Sequence, residues 1–358
     1  MPISAETILK AFPRLIEYIE GDLATPITGP SSQNQPRPQT IAYISDEKFL
    51  TPLLASDVST LVINSKMIDS AKKLNNGKKV LLSSSNLSLS MAQVNARLFS
   101  LPFLRSPFAG QSIHDSAVIS QSASIGKNVV IGPGAVIADN VVIGDGSFIG
   151  AQTVIENNTQ FGTDCFIHPC VYIGHSCFIK NRVEIKPQST IGSDGFGYAH
   201  DEKNNHYRIP HYGAVIIEDD VHIGANVNID RGTFDPAIIG EGTKIDNHCH
   251  FGHNCKVGKN CLITAGFIMA GSSTIGDNCV FGGRSSVNGH ISICSNCRFA
   301  AVSVITGHVT QPGDYGGFPI ISYRDSLRAQ ASLEHLPQLR KNFNRLLEKL
   351  GITLDEKK

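Results

Sequence analysis

The densest group of side chains that could move protons lies in Ile245-Asp-Asn-His-Cys-His-Phe-Gly-His253-Asn-Cys, where His248, His250 and His253 fall close together. Imidazole titrates near neutral pH, so it can remove a proton from an attacking amine. It also ligates zinc, and on an exposed turn it can do neither. Residue type alone leaves all three readings open. An acyl transfer that forms an amide needs such a base, together with an N–H that donates to the oxyanion developing on the carbonyl. Gly271 and, in Asn-Gly-His290, another imidazole follow further along the chain. These groups can meet only if the chain has a structural period that matches their spacing.

The chain supplies that period. Stepping by six from Ile113 meets Ile119, Ile125, Ile131 and so on to Ile191, with Phe161 the one exception among 14 consecutive matches. The register resumes at Ile217, Ile223 and Ile229, slips by four around Asp235, and runs from Ile239 to Ile305, giving 29 hexads in all. A period of six suits a short strand followed by a tight turn, repeated as the faces of a prism. Three hexads then close one coil, with the anchor side chain inward and the frequent Gly after it relieving the turn. Gly271 stands three hexads after His253, and His290 six hexads after Asn254. Coils pairing in parallel at about 4.8 Å would make a prism roughly 45 Å long, and His253, Gly271 and His290 would lie on one edge of it.

This repeat resembles that of the hexapeptide-repeat acyltransferases, and the resemblance implies a left-handed parallel β-helix. The usual right-handed crossover preference would have predicted the opposite hand. The expected fold is mainly β: a prism over residues 106–315, preceded by a small α/β domain over 1–105 and followed by a helical region over 316–358.

Bulk properties exclude several classes. Lys plus Arg and Asp plus Glu balance at 31 each, which argues against a nucleic-acid or membrane-surface partner. Lys10, Arg14, Glu17 and Glu20 interrupt the N-terminal stretch, so neither a signal peptide nor a membrane span is expected there. Nine cysteines could signal disulfides or zinc, and Cys294-Ser-Asn-Cys297 has the spacing for it. Seven of the nine, however, take the fifth hexad position, where other hexads carry Ala, Val, Ser or Thr; they read as small core residues. Free thiols in this number suit the cytoplasm, and no metal or cofactor is expected.

Residues 1–105 lack the hexad. An amphipathic helix is predicted over 8–19, broken near Pro13, with strands at Thr40–Ile44, Thr60–Ile63 and Lys79–Leu82 separated by helical stretches near 69–74 and 88–99. Tyr43 and Phe49 stand one hexad length apart, which fits either one core and one surface ring or a pair that sandwiches a nucleobase. Pro102, Pro107 and Gly110 mark the passage into the repeat. The repeat itself is broken between Ser193 and Val215 by an excursion containing Gly195-Phe-Gly-Tyr198, and its role is not legible from the residues.

Several segments together narrow the resemblance: the stretch from Ile41 to Phe49, the 195–213 excursion, Asp230-Arg-Gly, Gly-His253-Asn, Met269-Ala-Gly271 and Asn-Gly-His290. They resemble the UDP-3-O-(3-hydroxyacyl)glucosamine N-acyltransferases of the lipid A pathway, over nearly the whole chain. The resemblance implies His253 as general base, Gly271 as oxyanion donor, His290 as a group that positions diphosphate or acyl carbonyl, and Asp246 as a carboxylate that orients the base. It implies that Tyr43 and Phe49 clasp uracil and that the acyl chain runs past Ala301 and Val304. The co-substrate would be acyl carrier protein bearing a phosphopantetheine-linked acyl chain, and the assembly a cytoplasmic homotrimer of a Gram-negative type bacterium.

Two other families on the same prism remain as alternatives. One is the UDP-N-acetylglucosamine O-acyltransferases, which start their repeat near the N-terminus. The other is the trimeric zinc hydratases of the γ-carbonic anhydrase type, suggested by His248 and His253 but needing a third histidine that is absent in register.

From Ser322 to Leu350 a helix is predicted with Leu327, Leu333, Leu336, Leu339, Phe343, Leu346, Leu347 and Leu350 on one stripe, interrupted at Pro337. Its other side carries Arg324, Arg328, Arg340, Lys341, Arg345 and Lys349. A basic face is usually only solvated, but the resemblance implies that it docks acidic acyl carrier protein.

Overall fold

The computed structural model describes residues 2–75, 77–99, 110, 112–316, 328 and 331–351. The chain divides into two compact units, Met1–Arg105 and Ser106–Lys358.

The second unit is a left-handed parallel β-helix whose faces are three parallel sheets of ten, ten and nine short strands among the described residues. Successive coils stack in register, Ile131 opposite Ile149 and Ile149 opposite Ile167, so that three hexads close a turn. Ile179 instead faces Ile217, because the excursion lengthens that coil. Ile223 faces Ile245 rather than the residue three hexads on, which is the slip around Asp235. Both insertions leave the anchors aligned, so the core continues through them without a gap.

Each hexad sends two side chains inward, the anchor and the residue two before it, as with Ile131 and Val129. Seven cysteines occupy that second position and are buried, and all nine are free thiols. Burial pushes the Cys165 thiol up to about 11 and that of Cys255 to about 12, as expected of inert core residues.

The turn is made differently from the sequence expectation. The left-handed backbone residue stands three after most anchors, at Asn128, Asn140, Asn158, Asn254 and their equivalents, where an Asn side chain tolerates positive φ. The glycine directly after the anchor answers a different demand. A Cβ on Gly144 would lie 2.3 Å from the Gly162 carbonyl oxygen of the next coil, so this position is set by close approach between coils.

In the first unit a five-stranded sheet runs in the order Glu17–Glu20, Val80–Ser84, Thr60–Asn64, Thr40–Ile44, Gly29–Pro30, with only Glu17–Glu20 antiparallel. The predicted first helix is shorter, Ala5–Ala11, and residues 17–20 join the sheet instead. Pro13 forbids continuation of the helix, and pairing with Val80–Ser84 satisfies the backbone that follows. At the C-terminus residues 328 and 331–333 are helical, a turn follows at 334–335, and a helix then runs Leu336–Leu350. The predicted interruption thus falls just before Pro337, which lies in the first turn of this helix, where a missing N–H costs nothing.

One valine takes the left-handed slot, Val302 at φ 62°, and a β-branched side chain is poorly suited to it. Val302→Asn is expected to raise stability by about 1 kcal/mol, whereas Gly144→Ala should lower it by roughly 1–3 kcal/mol through overpacking. Urea unfolding of the two variants checks both signs.

Candidate active site

His253 and Gly271 occupy the same hexad position, two after the anchor, on consecutive coils of one edge. A Cβ on Gly271 would lie 2.7 Å from His253 Nε2 and within 3.0 Å of Cε1 and Cδ2, so the imidazole rests directly over the bare glycine. On several other coils the backbone N–H at this hexad position is capped from one coil on: Asp145 accepts from Lys127 N at 2.7 Å, Asn181 from Thr163 N at 3.0 Å and Asp277 from Lys259 N at 2.7 Å. One coil beyond Gly271 stands Gly289, which has no side chain to supply such a cap, and the Gly271 N–H faces the edge uncapped. His290 joins the group through its backbone, its N–H donating to the Gly271 carbonyl at 3.2 Å while its ring is exposed. Stacking thus brings His253, Gly271 and His290 together.

The tautomer of His253 follows from Asn254. The Asn254 amide nitrogen donates to the Asp235 carbonyl at 3.1 Å, and its Oδ1 accepts from Thr233 N at 3.0 Å and Thr233 Oγ1 at 3.1 Å. An oxygen held in this way can only accept, so His253 Nδ1, 2.9 Å from it, carries the proton and Nε2 keeps its lone pair. The slip in the repeat is therefore the clamp that orients the base. Its tight path requires Gly232, where a Cβ would fall 1.6 Å from the Asp235 carbonyl oxygen.

The excursion closes over the other side of the ring. Gly195 passes so near that a Cβ would lie 2.5 Å from His253 Cβ. His211, only 5 % exposed, meets His253 edge-on with ring centroids 5.4 Å apart, and neither of its ring nitrogens has a protein partner. The end of the excursion is held to the slip by Tyr212 N donating to Thr233 O and by Gly213 N donating to Gly232 O.

Asp230 lies beneath these histidines at 7 % exposure. Ser193 Oγ donates to its Oδ1 at 3.0 Å, and His250 Nε2 stands 3.8 Å from Oδ2. Burial raises its pKa, opposed by His250, the Ser193 hydrogen bond, His253 and His211. The neighbouring Arg231, fully buried, directs its guanidinium elsewhere: Nε donates to Gly192 O and one terminal nitrogen to His175 O, both at 2.8 Å, while the other meets the His175 ring. Arg231 thereby ties the coil before the excursion to the coil after it.

Asp246 does not orient His253 within the chain. It is exposed on the preceding edge, a third of a coil away, and its Oδ1 accepts from Asn247 N at 2.7 Å. His248 shares that edge, so the pair on which the zinc-hydratase alternative rested lies on two edges of the chain. Among the described residues no group of three or more His, Cys, Asp or Glu could hold a metal.

Asp230 entered the sequence reading only as part of the Asp230-Arg-Gly segment, with no role, and His211 not at all. The position after an anchor also carries Glu156, Lys180 and Asp246, so a charge there is not diagnostic. His211 belongs to a segment with no period.

Tyr43 and Phe49 likewise fail to flank a common slot. Tyr43 is 6 % exposed on Thr40–Ile44, packs with Ile8, Phe12 and Val62 on one face of the sheet, and donates its hydroxyl to Asn95 Oδ1 at 3.0 Å. Burial raises its pKa. Phe49 packs with Ile44, Leu50 and Leu53 on the opposite face. The place of Tyr43 on a strand was visible; the side to which the following turn sends Phe49 was not.

Val304, 69 % exposed, lines a groove of about 560 Å³ with Phe299, Val302, Ile305, Val309 and Tyr315, while Ala301 is exposed outside that lining. Arg328, Arg340, Lys341 and Arg345 are exposed, and Arg324 lies outside the described residues.

A three-sided prism of hexads with an imidazole and an uncapped amide on one edge defines a hexapeptide-repeat transferase. Two family models match: bacterial transferase hexapeptide (six repeats), over residues 122–157 and 236–266, and hexapeptide repeat of succinyl-transferase, over residues 214–249 and 273–306. The solved Arabidopsis UDP-N-acetylglucosamine acyltransferase is similar at a TM-score of 0.52 and 25% identity, over 57% of this chain and 71% of that one. A UDP-3-O-acylglucosamine N-acyltransferase from Chlamydia pneumoniae is 49% identical over 94% of this chain and 92% of its own length. Matches to the enzymes of that name from Campylobacter jejuni subsp. doylei and Wolinella succinogenes, 50% and 38% identical over 40% and 45% of this chain, span 45% and 50% of those relatives. The chain belongs to the UDP-3-O-acylglucosamine N-acyltransferase family.

Two stability measurements test these placements. Tyr43→Ala should lose about 3–5 kcal/mol in urea unfolding, as for a large buried aromatic, whereas a ring exposed for stacking would lose little. A carboxylate with a raised folded pKa binds its proton more tightly in the native state. Stability relative to Asp230→Asn should therefore fall as pH rises from about 4, the ordinary Asp value, through the raised one. Parallel urea titrations across that range give the difference.

Proposed function

We propose that the chain catalyses transfer of a (3R)-3-hydroxyacyl group from acyl carrier protein to the 2-amine of UDP-3-O-(3-hydroxyacyl)glucosamine. The observation that carries this reading is the His253 imidazole, protonated on Nδ1 by the Asn254 bond and free at Nε2, lying over the uncapped Gly271 amide. Nε2 takes a proton as the amine attacks the thioester carbonyl, and the Gly271 N–H donates to the resulting oxyanion. Collapse forms the amide and expels the phosphopantetheine thiolate, which recovers the proton from the imidazolium. No metal or other cofactor enters these steps. His290, exposed on the same edge, is the group that meets the diphosphate or the acyl carbonyl.

The remaining assignments follow from chemistry on the surface. The apolar groove at Val304, with Ala301 at its margin, receives the acyl chain. The exposed Arg340, Lys341 and Arg345 of Leu336–Leu350, with Arg328 before it, suit an acidic carrier protein. The other side of Leu336–Leu350 exposes Leu336, Leu339, Phe343, Leu346 and Leu350, a stripe that association of three copies would cover. The uridine moiety falls to the N-terminal unit, with Phe49 rather than the buried Tyr43 as the available ring. That unit also favours N-acyl transfer over the O-acyltransferase reading. No helix among the described residues is long and apolar enough to cross a membrane, and the free thiols suit the bacterial cytoplasm.

His253→Ala should lower the rate of amide formation by roughly 10²–10⁴ while leaving unfolding by urea nearly unchanged. The assay pairs purified protein with hydroxyacyl-loaded carrier protein and the UDP-sugar, and an unaffected rate would overturn the base assignment.

A further inference from the structure

Asp230 is a buried carboxylate, and among the described residues no permanently charged side chain is bonded to it. The Ser193 hydroxyl donates to it, the His250 ring stands 3.8 Å away, and His253 and His211 lie near enough for their charges to act on it. Its chain neighbour Arg231 turns its guanidinium to Gly192 and His175, with Asp194 at 3.9 Å. Asp194 is in turn paired with Arg208 of the excursion. Every group that could balance the Asp230 charge is therefore an imidazole, which is positive only when it holds a second proton. A buried charge is costly without a partner, and a carboxylate whose partners are charged only conditionally is the arrangement found where protons move. His211 fits the same logic. Both of its nitrogens are buried without partners, and its ring lies against that of His253.

We propose that Asp230 is a positioning residue whose carboxylate supplies the counter-charge to the imidazolium formed on His253, with the buried His211 ring covering that edge. This rests on the reading of His253 as the base. In the reaction one proton passes from the attacking amine to His253 Nε2, the Nδ1 proton stays in its bond to Asn254, and Asp230 takes none. Its negative charge is present before the reaction and gains a partner as the imidazolium appears, so stabilisation is concentrated in the step where charge develops. Asp246, exposed and bonded to its neighbour's amide, has no such placement.

The test is the pH profile of kcat/KM for amide formation in full-length Asp230→Asn, which keeps the size of the side chain and its bond to Ser193. Without the carboxylate the protonated base loses support, so its pKa falls. The acid limb should move to lower pH while kcat at neutral pH drops roughly 10–100-fold. The KM for the UDP-sugar should stay within about threefold. Asp246→Asn should leave the limb in place. Ser193→Ala, which disturbs only the orientation of the carboxylate, should move the limb the same way by less, and it serves if Asp230→Asn does not fold. An unmoved limb in both Asp230→Asn and Ser193→Ala, or a limb moved by Asp246→Asn, would overturn the proposal. Full activity in His253→Ala would instead remove the base reading itself. An inactive His253→Ala together with an unmoved limb removes only the role of Asp230.

Discussion

Parallel hydrogen bonding between consecutive coils, repeated at every third hexad, is the constraint on which the rest of this molecule depends. Each coil satisfies its backbone from the coil below and the coil above, so no hexad can shift its register without exposing an anchor and orphaning amides. The consequence for chemistry is direct. A position two after an anchor is stacked on the same position of the next coil, and on several coils its N–H is closed off by the side chain found there. Gly289 supplies no such side chain to Gly271, and the missing side chain of Gly271 makes room for the His253 ring. The proposed oxyanion donor and the seat of the proposed base thus meet at Gly271.

Where the lattice is regular it offers no means of orienting a ring, and the two irregularities provide it. The slip folds Thr233 and Asp235 onto Asn254, whose amide then selects the His253 tautomer. The excursion lays Gly195 and His211 against the ring from the opposite side. Both insertions re-enter the helix with the anchors aligned, so the site acquires a clamp and a cover at no expense to the core. Arg231 makes this possible by bonding two coils across the point where the excursion leaves, a buried charge satisfied by carbonyls and a histidine ring.

The apolar side of Leu336–Leu350 and the groove near Val304 share one property: each leaves several large apolar side chains exposed. These surfaces belong to the same unit as the reactive edge. On the proposed reaction the apolar groove would take the acyl chain and the basic residues near the C-terminus would meet the carrier protein.

The repeat, the prism, the buried cysteines and the alignment of His253 with Gly271 and His290 were all legible in the residues, because a period of six with a fixed inward position leaves only one way to stack. The strands and later helices of the N-terminal unit were legible for the same local reason. Other features were decided only when the chain folded: the left-handed slot three after most anchors, the burial of Tyr43 away from Phe49, the exile of Asp246 to another edge, and the gathering of Asp230, His211 and Asn254 about one imidazole. These depend on how turns and insertions aim side chains across coils, a matter of contacts between residues distant in sequence, and no periodicity along the chain encodes that direction.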